Sequence, residues 1–417
     1  MTTRRRFVYA IVGMSLLLYT IIWVAFASVF EPNLQFFSYY AINYDQGFIR
    51  RGLAGEVLDL FPRDLYFTGL ALLRWLVPAL FVASIAAAAW TAAARFGRSE
   101  RRLMLALIFP MLPFGIARAV LVPTPDLLGE AALAVFAIVL VSTKRDGSVV
   151  IASVIYGITT AVLTLIHEAI PFLQALGAVL AIAILAPGST KMRRTSLLVA
   201  VTPSLVAALA IALLGRRDAS PQCARLPHRA IDFPIALSPD QVLRGEHAYT
   251  DYHEWTCRFI SVTTRNSPLG GLSQTGWTPW VGAMLVGFAI FAVTVLFIRG
   301  ISSVSLADFR QVLNGWFVWI TLAVILLLPV FATTSDWPRW WVAISFDVAV
   351  VYVLYASRRS ESSCPATRRT RFFFAAAMVF LALVPIAVGV NAGKSVKPLL
   401  ARCDQLANDP KWVGICP

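Results

Sequence analysis

Charged residues are scarce in this chain: only 14% of its 417 residues are Asp, Glu, Lys or Arg, whereas 58% are hydrophobic. The mean hydropathy is +0.72. A soluble domain of this length cannot bury so much apolar surface, so the composition predicts a polytopic membrane protein. The first apolar run, residues 7–30, is longer than the apolar core of a signal peptide, and we expect it to be a spanning helix.

Acidic residues are the scarcer of the two charge types, with 22 Asp and Glu against 36 Lys and Arg, which gives a net charge of +14. Such an excess can indicate a nucleic-acid partner. Here, however, the basic residues cluster in short segments at alternate ends of the apolar runs, a pattern that sets orientation in a membrane. We therefore expect no nucleic-acid partner.

Long apolar runs account for most of the chain. Each is long enough for a spanning helix, although Pro and Gly interrupt several of them. We count about eleven: 7–30, 67–94, 103–122, 127–143, 149–166, 169–187, 197–215, 277–298, 316–333, 342–357 and 372–391. The sequence thus predicts an all-α transmembrane bundle over residues 1–391 and a small outer tail over 392–417.

The charges between the runs predict the orientation. Short basic segments fall in every second gap, at 4–6, 95–102, 144–147, 191–194, 299–310 and 358–371. The positive-inside rule assigns these segments to the cytoplasm of a bacterial inner membrane, with the N-terminus inside and the C-terminus outside. The remaining gaps would then face outward: 31–66, 123–126, 167–168, 216–276 and 334–341.

Cysteine is also scarce, with five residues. In the predicted topology, Cys223, Cys257, Cys403 and Cys416 lie outside and Cys364 lies in the cytoplasm. Four outer thiols fit two disulfides in an oxidising compartment. Three connectivities can be drawn, and we expect the local pairs 223–257 and 403–416.

Polar residues collect at the predicted outer helix ends. In "NYDQGFIRRGLAGEVL", Asp45 could accept a proton, while Arg50 and Arg51 carry guanidinium groups suited to phosphate. A structural salt bridge between Asp45 and an arginine is the alternative. Arg118 and Asp126 flank the next short gap, and Asp126 could equally be a helix N-cap.

Two further outer turns carry candidate residues. His167 and Glu168 stand alone between apolar runs; the HExxH zinc motif is absent, so a metal would need ligands from elsewhere. The pair could carry protons, hydrogen-bond a substrate or only lock the turn, and we favour substrate contact. Asp336 and Arg339 lie among tryptophans, which suit either an interfacial belt or stacking on sugar rings. The basic loop 216–276 could close over an anionic headgroup.

An aspartate in the first outer loop, a second outer acid between the third and fourth helices, and a long outer loop between the seventh and eighth helices resemble the GT-C superfamily of membrane glycosyltransferases. The resemblance is topological. It implies sugar transfer from a polyprenyl-phosphate donor to a glycan or lipid acceptor on the outer face. Asp45 matches the family's catalytic base, and Asp126 matches its second acid. Arg50, Arg51 and Arg339 would bind the lipid phosphate.

No paired acid motif follows Asp45, because Gln46 and Gly47 come next, so a divalent metal is left open. A transporter or flippase of an anionic lipid-linked sugar is a second hypothesis. A transporter should keep its polar residues near the middle of the bilayer, whereas those singled out here collect at helix ends. A polymerase or ligase of the O-antigen type, with a diphosphate-linked donor, is a third hypothesis.

Overall fold

The computed structural model describes residues 3–29, 34–216, 219–232, 241, 244, 246, 248–265, 277–333 and 337–384. Over these residues the chain is mostly helical. The first half contains α1 Thr3–Val29, α2 Leu34–Ser38, α3 Gly52–Asp59, α4 Tyr66–Ala94, α5 Glu100–Ile108, α6 Ile116–Leu121, α7 Asp126–Ser142, α8 Asp146–Ile166, α9 Ile170–Leu185 and α10 Thr190–Leu214. The second half contains α11 Tyr252–Arg265, α12 Trp277–Ser302, α13 Leu306–Val312, α14 Phe317–Thr333, α15 Trp337–Arg358 and α16 Arg368–Leu383.

One small element departs from the predicted all-α fold. Strands β1 (Ala230–Asp232) and β2 (Tyr249–Asp251) pair antiparallel, with Ile231 opposite Thr250. They lie in the long polar loop that follows α10, directly before α11. The apolar runs themselves gave no signal for this hairpin.

The centre of the bundle is formed by α9 and α15, which pack on each other and are buried along nearly their whole length. Around them, α4 packs on α7, α8 on α10, and α12 on α15. By contrast, α1 exposes large apolar side chains such as Phe7 and Met14. Exposed apolar side chains along a whole helix are expected where lipid rather than water is the solvent.

Seven helical segments of the described chain are long and apolar enough to cross a membrane, so the prediction of a multi-pass membrane protein is confirmed. They are Thr3–Ser28, Arg63–Ala94, Glu100–Leu121, Asp146–Ile166, Thr190–Leu214, Val281–Ser302 and Trp337–Arg358. An eighth is added if α13 and α14, bent by 102° around Gly315, form one span. Gly315 has a φ of 86°, a left-handed conformation that glycine adopts without strain.

The predicted number of about eleven spans is not confirmed. Each predicted run contains helix over most of its described residues, but four of the helices are short: α7 and α14 have 17 residues each, and α9 and α16 have 16 each. At 1.5 Å per residue such helices extend about 24–26 Å, which is less than the ~30 Å of a bilayer core. The run 103–122 counts among the seven segments, although a 3-10 turn at Phe109–Met111 interrupts it.

The predicted cytoplasmic segments meet one another. Glu100 pairs with Arg371 at 2.8 Å, and the buried Arg102 donates to the carbonyl of Ser357, near the end of α15, at 2.8 Å. Arg101 donates to the carbonyl of Ile301 at the end of α12. Guanidinium groups thus satisfy carbonyls that helix C-termini leave without partners. These contacts hold together the helix ends on the predicted cytoplasmic side. The candidate site described below lies at the opposite helix ends.

Candidate functional site

The loop that carries Asp45 is closed on itself and on α3. The side-chain amide of Asn43 donates to Asp45 at 3.2 Å and to Asp59 at 2.5 Å. The backbone of Gly55 donates to Ile42, and a Cβ on Gly55 would lie 2.2 Å from that carbonyl oxygen. Only glycine allows so close an approach, so Gly55, the third glycine of the motif, is required by packing.

Asp45 is half exposed and forms an ion pair with Arg225 of the long loop. Further contacts join the same two segments: Gln222 donates to the carbonyl of Asn43 at 3.1 Å, and the backbone of Arg216 donates to Phe48 at 2.8 Å. The long loop therefore packs directly on the first one. The salt-bridge alternative for Asp45 is realised, but on the surface, where the carboxylate stays accessible.

The two adjacent arginines meet Glu168. Arg51 donates from Nε and Nη2 to the two carboxylate oxygens at 3.0 and 2.8 Å, and Arg50 lies 3.7 Å away. Arg51 adopts a φ of 64°. That left-handed conformation costs a residue with a Cβ roughly 1–2 kcal/mol. Arg51 adopts this conformation directly before α3, with its side chain on Glu168.

Glu168 lies in the turn between α8 and α9. Burial acts to raise the pKa of its carboxyl, but the charges of Arg51 and Arg50 outweigh burial and hold this pKa well below its ordinary value. Glu168 is therefore an anion at neutral pH, and it holds Arg50 and Arg51 next to each other.

Asp126, the first residue of α7, is fully buried and lies between two basic side chains. Its oxygens are 3.4 Å from Nε of Arg339 and 3.3 Å from Nε2 of His167. Tyr39 completes the cluster: its hydroxyl accepts from Arg339 at 3.4 Å, its ring stacks on His167 at 5.3 Å between centroids, and Arg51 lies over its face at 4.8 Å. We call Tyr39, Arg50, Arg51, Asp126, His167, Glu168 and Arg339 the charged cluster.

His167 is held in one neutral tautomer. Its Nδ1 accepts from the backbone of Ala169 at 3.1 Å, which leaves the proton on Nε2. Burial lowers the pKa of His167 despite the nearby carboxylate of Asp126, so the ring is neutral at pH 7. Nε2 of His167 and Oδ1 of Asp126 are both buried, and neither makes an aligned hydrogen bond with any described residue. Two such atoms side by side are free to bind a ligand.

A second buried ion pair lies next to the charged cluster. Arg118 of α6 uses Nη1 to reach both oxygens of Glu130, at 2.9 and 2.7 Å, and both side chains are fully buried. Nη2 of Arg118 has no hydrogen-bond partner in the described ranges of the chain. The pair is electrically neutral, and the guanidinium group of Arg118 contacts Glu130 through Nη1 alone.

A further acid, Asp347, was missed from sequence. It lies halfway along α15 and accepts from the backbone of Gly177 at 3.0 Å, while its Oδ1 has no hydrogen-bond partner among the described residues. Gln174 and Tyr156 also carry unpartnered buried polar atoms and line a cavity with room for about one water molecule. An isolated acid within an apolar run is itself a signal of function.

A separate apolar cavity of about 240 Å³ lies between α1, α4 and the segment from Pro110 to Ile116. Its lining includes Gly13, Leu16, Leu17 and Ile85. An apolar space between helices of a membrane protein suits a hydrocarbon chain rather than a polar ligand.

The structure therefore brings together Arg50, Arg51, Asp126, His167, Glu168 and Arg339, which come from four predicted outer segments. Arg118 is adjacent, paired with Glu130. Asp45 forms its ion pair with Arg225 of the long loop instead. The predicted disulfide Cys223–Cys257 is present, while Asp336, Cys403 and Cys416 lie outside the described residues. In the described chain, His228, Asp251 and His253 form a group that could hold a metal ion.

The fold and the charged cluster define a polytopic membrane protein with buried ionisable groups at its helix ends. The chain belongs to the family described as "Uncharacterised membrane protein Rv1490", whose model matches residues 9–382. It is 38% identical over 408 residues to "Uncharacterized protein Rv1490" of Mycobacterium tuberculosis (strain H37Rv), covering 94% of this chain and 93% of that protein. The same values hold for "Uncharacterized protein Mb1527" of Mycobacterium bovis. No solved structure matches the chain.

Proposed function

We propose that this protein is a membrane glycosyltransferase that moves a sugar from a polyprenyl-phosphate donor to a glycan or lipid acceptor. The observation that carries the proposal is the gathering of three guanidinium groups, from Arg50, Arg51 and Arg339, in one cluster at the predicted outer helix ends. Guanidinium groups bind phosphate through paired N–H donors, so a cluster of this kind suits the phosphate of a lipid-linked donor.

The donor phosphate would bind where Arg50 and Arg51 meet. Glu168 contacts both guanidinium groups, that of Arg51 at 2.8 Å and that of Arg50 at 3.7 Å, and so holds them side by side. Cations at this position would stabilise the phosphate as it leaves the sugar, which is where negative charge develops in the transition state. The apolar cavity beside α1 suits the hydrocarbon chain of a polyprenyl carrier, which also supports the proposal.

Asp45 is our candidate for the general base. Its carboxylate is 47% exposed and can be reached by an acceptor hydroxyl, whereas Asp126 is fully buried. In the proposed reaction the acceptor oxygen attacks the anomeric carbon and Asp45 takes its proton. The bond between that carbon and the phosphate oxygen breaks, and the polyprenyl phosphate leaves with inversion at the sugar. Asp45 must exchange its contact with Arg225 for the acceptor.

The base is tested with Asp45→Asn in membrane vesicles supplied with a radiolabelled polyprenyl-phosphate sugar and an acceptor extract. We expect transfer to fall by about 10²–10⁴-fold, the contribution of a positioned general base. Asp64→Asn, an exposed aspartate of the same loop, is the matched control and should transfer normally. Normal transfer by Asp45→Asn, combined with loss in Asp126→Asn, would move the base to Asp126.

The phosphate site is tested separately by lipid binding. We expect Arg51→Gln to lose co-purifying polyprenyl phosphate in mass spectra of the purified protein, whereas Arg63→Gln, exposed and nearby, should retain it. Equal lipid content in both variants would contradict phosphate binding at Arg51. Loss of lipid only in Arg51→Gln, with full transfer in both, would make the site a lipid anchor rather than part of the reaction.

A transporter or flippase of a lipid-linked sugar is the second candidate, and Asp347 is the observation that favours it. This acid lies near the middle of a candidate span, where a transporter is expected to place polar groups. Proteoliposomes distinguish the two candidates. A transferase makes glycosylated acceptor on one face, whereas a flippase moves intact donor across the bilayer and loses this activity in Asp347→Asn.

A further inference from the structure

Three potential metal ligands surround the small hairpin of the long loop. His228 lies two residues before β1, Asp251 ends β2, and His253 is the second residue of α11. The antiparallel pairing of β1 with β2 therefore brings together two chain segments that are more than twenty residues apart. One ligand atom from each of the three residues lies within 4.8 Å of the others.

The arrangement of the three side chains is specific. Nδ1 of His228 is 2.6 Å from Oδ2 of Asp251, and the two imidazole rings stack with centroids 4.0 Å apart. Oδ1 of Asp251 accepts from the backbone of Arg229 and of His253. The carboxylate is thus anchored by one oxygen, and its second oxygen faces the histidines.

His253 is oriented as a metal-binding histidine is. Its Nε2 is 3.0 Å from the carbonyl oxygen of Cys223, which can only accept, so Nε2 carries the proton. Nδ1 is then the lone-pair nitrogen; it is buried and has no hydrogen-bond partner within the part of the chain that the structure describes. A backbone carbonyl that fixes the tautomer of a ligating imidazole is the usual outer-shell contact of such sites.

We propose that His228, Asp251 and His253 form a binding site for a divalent metal ion of the zinc class. Two imidazole nitrogens and a carboxylate oxygen are donors that zinc and its neighbours prefer, and three protein ligands leave a fourth position for water. Tetrahedral bonds of ~2.0–2.1 Å separate ligand atoms by about 3.3 Å. The His228 side chain, 69% exposed, can move inward to reach this spacing.

The bound ion would join the hairpin to the disulfide-bonded segment. His253 contacts Cys223 through its carbonyl, and Cys223 is covalently linked to Cys257 one helical turn along α11. Metal, disulfide and helix would then form one cross-linked unit. The site stands on its own geometry and does not depend on the glycosyltransferase proposal.

Metal binding is tested on the full-length protein in detergent, purified with a tag that contains no histidine and stripped with EDTA. The protein is titrated with Zn²⁺ in competition with a chromogenic chelator, and the bound metal is measured by mass spectrometry after desalting. Co²⁺ gives a second readout through its visible absorption, which reports tetrahedral nitrogen and oxygen ligands. The variants are His228→Ala, Asp251→Asn and His253→Ala, with Glu254→Gln, an exposed carboxylate, as the matched control.

We expect wild type and Glu254→Gln to bind one Zn²⁺ per chain. Each ligand variant should bind more weakly by at least the ~10–100-fold that loss of an outer-shell partner costs. Alkylation of free thiols shows whether the Cys223–Cys257 disulfide, and with it the local fold, persists in each variant. Wild-type binding that is unchanged in His253→Ala with the disulfide intact would overturn the proposal, as would a wild type that binds no Zn²⁺ or Co²⁺.

Discussion

The buried pair Arg118–Glu130 gives the sharpest test of how charges are held in this bundle. Arg118→Met leaves the carboxylate of Glu130 without its cation at a place that is fully buried. Breaking a buried ion pair from one side typically costs about 3–5 kcal/mol. The double variant Arg118→Met/Glu130→Leu removes both charges, and similar replacements elsewhere are neutral or stabilising by about 1–4 kcal/mol. We therefore expect the double variant to be more stable than either single one.

The free energy of unfolding can be measured by SDS titration in mixed micelles, followed by the fluorescence of the 12 tryptophans. Arg118→Lys is an informative third variant. Since Arg118 reaches both carboxylate oxygens from Nη1 alone, a single ammonium group can replace that contact. We expect Arg118→Lys to cost less than Arg118→Met. A loss below ~1 kcal/mol in Arg118→Met would refute a charged, water-excluded pair.

Three further outcomes are expected. Gly177→Ala places a Cβ 2.2 Å from a side chain of α7 and should cost about 1–3 kcal/mol by SDS titration, whereas Gly282→Ala meets nothing within 4 Å and should be neutral. Glu168 has a pKa in the folded state below its unfolded value of about 4.3, so its stabilisation is present above that pH and is lost as the pH falls below it. Wild type should therefore lose more stability than Glu168→Gln on acidification from about pH 6 to pH 3; equal losses would contradict the ion pair. Cys257→Ala removes the disulfide that closes a loop of 34 residues, which should lower the free energy of unfolding by up to about 4 kcal/mol. We expect faster proteolysis of the loop that follows α10. Cys364→Ala, which removes a free cysteine, is the control and should leave the proteolysis rate unchanged.

The helices were predictable because hydropathy reports directly on burial in lipid or in the bundle core. The number of crossings was not, since hydropathy does not distinguish α9, which is buried in protein, from a helix that faces lipid. The segments that carry the charged cluster were also visible, as polar groups at helix ends. Their pairing was not visible: Arg51 meets Glu168 117 residues away, and no local pattern encodes that contact.

Three features of the sites escaped the sequence for separate reasons. Asp347 was hidden within an apolar run, although a lone intramembrane acid is a recognised signal. Tyr39 carries no charge, yet it contacts three members of the charged cluster. The proximity of His228 to His253 depends on a hairpin that hydropathy does not predict.

The contact between the first loop and the long loop has a consequence for biosynthesis. Asn43 and its partner Gln222 are 179 residues apart, with α3 to α10 between them. At ~5–20 residues per second, a ribosome needs roughly 10–40 s to make that stretch. Throughout this interval the nascent first loop lacks Arg216, Gln222 and Arg225, so Asp45 takes up its final environment only after ten helices have been synthesised. Fragments that stop before α10 should therefore insert into the membrane yet leave this loop unformed.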